Sequence, residues 1–123
     1  MILGVVNGNL EAIVRFVVRG SGGQEQEIDA VIDTGFNGFL TLSPALVGQL
    51  GLSHIGQSRV LLANGQEELL DLYEVTLLWD GQWRTVETDA ADTDTLVGMS
   101  LLYRYSVYVE AVEGGQVAIA ALP

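Results

Sequence analysis

The chain has no cysteine and no lysine, and only one histidine among its 123 residues. Without cysteine there is no disulfide, no thiolate nucleophile and no cysteine-built zinc site. Without lysine there is no Schiff-base chemistry and no phosphate-loop lysine. The single histidine, His54, stands in Leu52-Ser53-His54-Ile55 after an expected helix and reads as a loop residue. No second histidine helps it hold a metal, and nothing points to the serine of a Ser-His-Asp triad. The chemistry left open is that of carboxylates.

Positive charge is scarce. All five bases are arginines (15, 19, 59, 84 and 104), set against 16 acids for a formal net charge of −11. Such a surface is repelled by phosphate backbones and anionic membranes, so neither nucleic acid nor membrane is an expected partner. Long apolar runs are missing too. Met1-Ile2-Leu3-Gly4-Val5-Val6 turns polar at Asn7, too soon for a signal peptide. No stretch approaches the roughly 20 apolar residues of a membrane helix. A soluble, cytoplasmic protein is the expectation.

What is present points to a small β protein. Hydrophobic residues make up 49% of the chain and mean hydropathy is +0.35, which excludes disorder. Fifteen glycines against two prolines provide for many tight turns. With no linker, repeat or low-complexity tract, residues 1–123 read as a single domain. Strands are expected at 2–6, 10–18, 25–33 and 39–42, with the end of the third, Ala30-Val31-Ile32, buried on both faces. Ser43 and Pro44 form a helix start, 45–50 the helix, and Gly51 its stop. Strands 58–63 and 67–79 flank the hairpin signal Asn64-Gly65, and Asp80-Gly81 turns 73–79 into 82–88. After Leu96-Val97-Gly98 comes one helical turn, then strands 103–111 and 116–121. The expected architecture is all-β, barrel- or sandwich-like, with one or two short helices.

Asp33-Thr34-Gly35 follows an apolar strand directly, and about sixty residues later comes Leu96-Val97-Gly98-Met99-Ser100-Leu101-Leu102. The bare tripeptide suits a strand-to-turn corner as well as a catalytic one, because Asp and Gly both favour turns. Its context is more specific. Ala30-Val31-Ile32-Asp33-Thr34-Gly35 resembles the active-site corner of clan AA aspartic proteases, the pepsins and retroviral proteases. The later segment is similar to their second signature, two apolar residues and a glycine leading into a short helix. The Asn64-Gly65 hairpin lies between them, where that family carries its flap. Order and spacing match over nearly the whole chain, in the manner of the single-domain, retropepsin-like proteases of bacterial type.

The resemblance implies a closed retropepsin-like β-barrel and an aspartic endopeptidase needing no metal or cofactor. Two carboxylates sharing one proton around a water would hydrolyse the peptide bond, one acting as base and the other as acid. One Asp-Thr-Gly in a chain too short for a second lobe implies a homodimer, with Asp33 from each copy. By matching position, Thr34 would hydrogen-bond across the dimer, Gly35 would let backbone approach the carboxylates, and Gly98 would let 96–98 pack behind the aspartate loop, at the substrate site. Leu62, Ala63, Asn64, Gly65 and Gln66 would form a flap over an extended peptide. Two departures stand out. Phe36 occupies a position where better-known members carry a small, often hydroxylated residue. Met99 and Asn37 replace an arginine–aspartate pair of the retroviral enzymes.

Other features carry plainer readings. Glu87, Asp89, Asp92 and Asp94 lack the glycine and terminal glutamate of a calcium loop and read as a solvated stretch. Trp79 and Trp83 flank a turn and read as a hairpin staple, while Tyr103, Tyr105 and Tyr108 read as packing. Three functions remain open: an active dimeric endopeptidase, a silent dimer of the same fold that binds peptides or scaffolds a complex, and an acidic metal-binding β domain. The intact Asp-Thr-Gly favours the first, because two apposed carboxylates cost a mere scaffold stability.

Overall fold

The computed structural model describes residues 1–123. Ten strands form one continuous sheet: β1 (Ile2–Val6), β2 (Ala12–Arg19), β3 (Glu25–Ile32), β4 (Leu40–Leu42), β5 (Ser53–Leu61), β6 (Glu67–Trp79), β7 (Gln82–Ala90), β8 (Leu96–Val97), β9 (Tyr105–Val109) and β10 (Gln116–Ala121). Two short helices, α1 (Pro44–Leu50) and α2 (Met99–Leu102), interrupt them. The spatial order is β5-β6-β7-β4-β8-β3-β2-β1-β10-β9. A further pairing of β2 with β6, through Val18–Leu77 and Arg19–Thr76, closes β2, β6, β7, β4, β8 and β3 into a barrel.

Alternation along the strands builds the core. Val14, Phe16 and Val18 of β2 point inward and are buried, as are Val75, Leu77 and Trp79 of β6. The same period buries Val117 and Ile119 of β10. Trp79 packs edge-on to Phe16 and Tyr105, with ring centroids 5.8 and 6.1 Å away. Ser43 caps α1 by accepting the Leu46 N–H at 3.2 Å, and Gly51 ends it in the left-handed conformation.

Several sequence expectations need correction. β5 begins at Ser53 rather than 58, so His54 lies in a strand; its Nε2 is 3.1 Å from Asp71 Oδ1 and its ring meets Tyr73 edge-on. Trp79 and Trp83 do not staple their hairpin: the two-residue turn pairs Trp79 with Gln82 and Leu78 with Trp83. Trp79 is therefore buried, while Trp83 faces outward and carries the Arg19 guanidinium 3.7 Å from its ring centre. Tyr103 and Tyr108 are exposed, and only Tyr105 packs against the core. The last long strand starts at Tyr105, not 103. β1 lies between β2 and β10, and the sheet edges are β5 and β9. Val31 and Ile32 are half-buried rather than enclosed.

Candidate active site

Asp33 stands where β3 leaves the barrel. β3 runs parallel to β8, with Val31 beside Leu96 and Ile32 beside Val97, and β4 meets β8 at Leu40–Val97. The Asp33 N–H donates to the Val97 carbonyl at 2.9 Å, so the second apolar segment fixes where the aspartate backbone sits. The chain then turns back: the Phe36 N–H donates to the Asp33 carbonyl at 3.1 Å and the Gly35 N–H to Asp33 Oδ1 at 2.9 Å. A Cβ on Gly35 would lie 3.2 Å from that oxygen. The carboxylate is thus oriented by backbone and half-buried, while Thr34 beside it is exposed.

Residues 96–100 brace this corner from behind. The Gly98, Met99 and Ser100 N–H groups donate to the carbonyls of Phe39, Phe36 and Gly38 at 3.0, 2.8 and 3.1 Å. Ser100 Oγ donates to the Asn37 carbonyl at 2.5 Å. Met99 and Asn37 therefore sit in a backbone-stitched joint that needs no ion pair. A Cβ on Gly98 would fall 2.2 Å from the Gly38 carbonyl oxygen and 2.6 Å from the Phe36 ring. Phe36 fills space that two glycines leave open, since a Cβ on Gly38 would also strike its ring at 2.6 Å.

Two hollows meet at Asp33. One, of about 630 Å³, lies between the corner and the β5–β6 hairpin and is lined by Asp33, Gly35, Phe36, Val60, Leu62 and Leu70 among others. Its walls also carry Glu68, Asp89 and Asp92, with no arginine among them. Ser58 ties the hairpin base to β7 by donating to Asp89 Oδ1 at 2.6 Å. The other hollow, of about 500 Å³, is lined by Leu10, Ala12, Val31 and Val109 with the two acids Glu11 and Asp33.

The hairpin turn is not the two-residue type. The Leu62 N–H donates to the Gln66 carbonyl and the Gly65 N–H to the Leu62 carbonyl, at 2.8 and 2.9 Å. Asn64 Oδ1 accepts the Gln66 N–H, and Gly65 alone takes a positive φ of 83°. This is a three-residue loop with a glycine bulge. Its residues Ala63 to Gln66 are exposed, and only Leu62 of the five reaches the hollow. Gly98 is buried behind the corner and does not line it.

The sequence reading missed Val60, Glu68, Leu70, Asp89 and Leu96 as lining residues. The signal was available in the pleat: counting by twos from Leu62 gives Val60 and Ser58, and the register sets Val60 against Glu68 and Ser58 against Leu70.

A retropepsin-like aspartic protease from Rickettsia conorii has a similar solved structure. The match has a TM-score of 0.59 at 15% identity and covers 97% of this chain and 90% of the other. The chain has the retropepsin-like fold. No protein-family model matches the sequence, and no curated protein does.

Proposed function

We propose that this chain is one subunit of a homodimeric aspartic endopeptidase, with Asp33 of each copy supplying one catalytic carboxylate. The observation that carries the reading is the setting of Asp33. Its backbone-oriented carboxylate lies between a hollow of about 630 Å³ under a hairpin and a second hollow lined by Leu10, Val31 and Val109. A twofold axis through that apolar side brings the two Asp33 side chains together. Held close, they share one proton.

In the reaction the ionised carboxylate takes a proton from a water molecule, whose oxygen attacks the carbonyl carbon of the scissile bond. The protonated carboxylate donates to the carbonyl oxygen. The carboxyl that took the water proton gives it to the amide nitrogen as the C–N bond breaks, and the other carboxylate takes a proton from a hydroxyl of the tetrahedral intermediate, so each group acts once as acid and once as base and the pair is restored. Thr34, exposed beside the carboxylate, reaches across to the partner and holds the pair in register. The Leu62–Gln66 tip closes as a flap, excludes water and pairs with an extended peptide.

Incubation of wild type and Asp33→Asn with a diverse peptide library across acidic to neutral pH tests this, with mass spectrometry reading the products. Cleavage by wild type alone is expected. Equal cleavage by Asp33→Asn, or none by wild type at any pH, rejects the endopeptidase.

A further inference from the structure

Acids outnumber bases 16 to 5, yet two arginines have no carboxylate partner. Arg15 bonds Asp29 at 2.7 Å, Arg19 bonds Glu25 at 3.0 Å, and Arg59 lies 3.6 Å from Glu67. Arg84 and Arg104 make no such pair, and they line the same hollow, of about 550 Å³, together with Asn37, Met99 and Ser100 of the joint behind the Asp33 corner. They reach it from distant parts of the chain, Arg84 from β7 and Arg104 from the turn between α2 and β9. Arg104 adopts a φ of 70°, reluctantly taken by a residue with a Cβ, while its carbonyl accepts the Leu122 N–H at 2.9 Å. The fold thus holds a second cation at a hollow that already has one.

The Arg104 guanidinium lies 5.6 Å from the Tyr103 ring centre. Two cations lining one hollow without an anion favour an anionic ligand, and a carboxylate there can take charge-assisted hydrogen bonds from either. Guanidinium forks match carboxylates in plane and spacing. The rest of the lining is mixed, with Phe39, Leu102 and Tyr105 beside Asn37 and Ser100. A bare inorganic anion would leave the apolar part unused. We propose that this hollow binds a peptide segment through an acidic side chain, held by Arg84 and Arg104, with a neighbouring apolar side chain against Phe39 and Met99. Asp33 does not line this hollow, and the proposal stands whether or not the chain is a protease.

The test uses a full-length Asp33→Asn background, so that no probe is cut, and fluorescence anisotropy of a capped peptide of alternating glutamate and leucine. A glutamine–leucine peptide is the control. Binding of the glutamate peptide is expected to be about tenfold tighter than the control or better. R84Q/R104Q should reduce it to the control level, and R59Q should leave it unchanged. If the double variant melts early, R84Q and R104Q are measured singly, and each should weaken binding several-fold. Equal affinity in wild type and the arginine variants overturns the proposal. So does displacement of the peptide by inorganic phosphate at matching concentration, which marks a small-anion site.

Discussion

Gly98 shows how one atom could undo the site. Its missing Cβ is where the Gly38 carbonyl and the Phe36 ring already lie, and the first of these is backbone that cannot step aside. Gly98→Ala should therefore lower stability by about 1–3 kcal/mol or more, as overpacking does, and shift the Asp33 corner with it. Thermal melts and any peptidase activity should fall together; an unchanged melting temperature contradicts the packing described. At Arg15 the effect is electrostatic and local. The Arg15 hydrogen bond holds the Asp29 carboxyl below the usual range; burial opposes it, and the Arg15 charge adds a lesser lowering. A lowered folded value means the pair's contribution is present above the ordinary carboxylate range and fades as pH falls through the lowered value. Both side chains are more than half exposed, so that contribution is small. Arg15→Gln should raise the Asp29 pKa in a carboxyl NMR titration and barely move the melting temperature. No movement of Asp29 would contradict the bond.

At the scale of elements, the β5–β6 hairpin divides at Gly56, where the register slips. Below it β6 pairs with β7 over residues 72–79 and with β2 at Thr76 and Leu77, and contributes Val75, Leu77 and Trp79 to the core. Above it the two strands pair only with each other, and Leu61 and Leu69 are 73% and 56% exposed. Amides of residues 60–69 should exchange with deuterium well before those of 73–79, and uniform protection along β6 contradicts a mobile tip. The same slip explains why half of β5 escaped the sequence. Ser53-His54-Ile55-Gly56 shows no apolar alternation, because an edge strand beside a bulge has little to bury. The strands that line the barrel were legible because burial imposes a period of two on them. Asp33-Thr34-Gly35 and Leu96-Val97-Gly98 stood out through their resemblance to two motifs of one family, in the family's order and spacing. Their joining through the Asp33 N–H and the Val97 carbonyl was not legible, since parallel pairing of β3 and β8 crosses some sixty residues. The tryptophans were misassigned for a related reason: a two-residue turn sets facing partners by strict count, and Trp79 and Trp83 fall on opposite faces.

For the whole molecule, the retropepsin-like barrel leaves one carboxylate at the meeting of two hollows, and the proposed chemistry needs two. Leu10 and Val109, 70% and 40% exposed, flank Asp33 on the apolar side. Val109→Glu should turn a dimer into a folded monomer in sedimentation and abolish peptidase activity, since a second copy would then bury an unpaired charge. A dimer that survives unchanged would place the interface elsewhere. Cooperation of the two aspartates is read most directly by mixing wild-type and Asp33→Asn subunits, letting them exchange, and measuring hydrolysis against the wild-type fraction. If each active unit requires both carboxylates, the rate falls as the square of that fraction, so an equal mixture keeps about one quarter of the activity. A linear fall, with about one half retained, would mean that a single Asp33 suffices and would contradict the shared site.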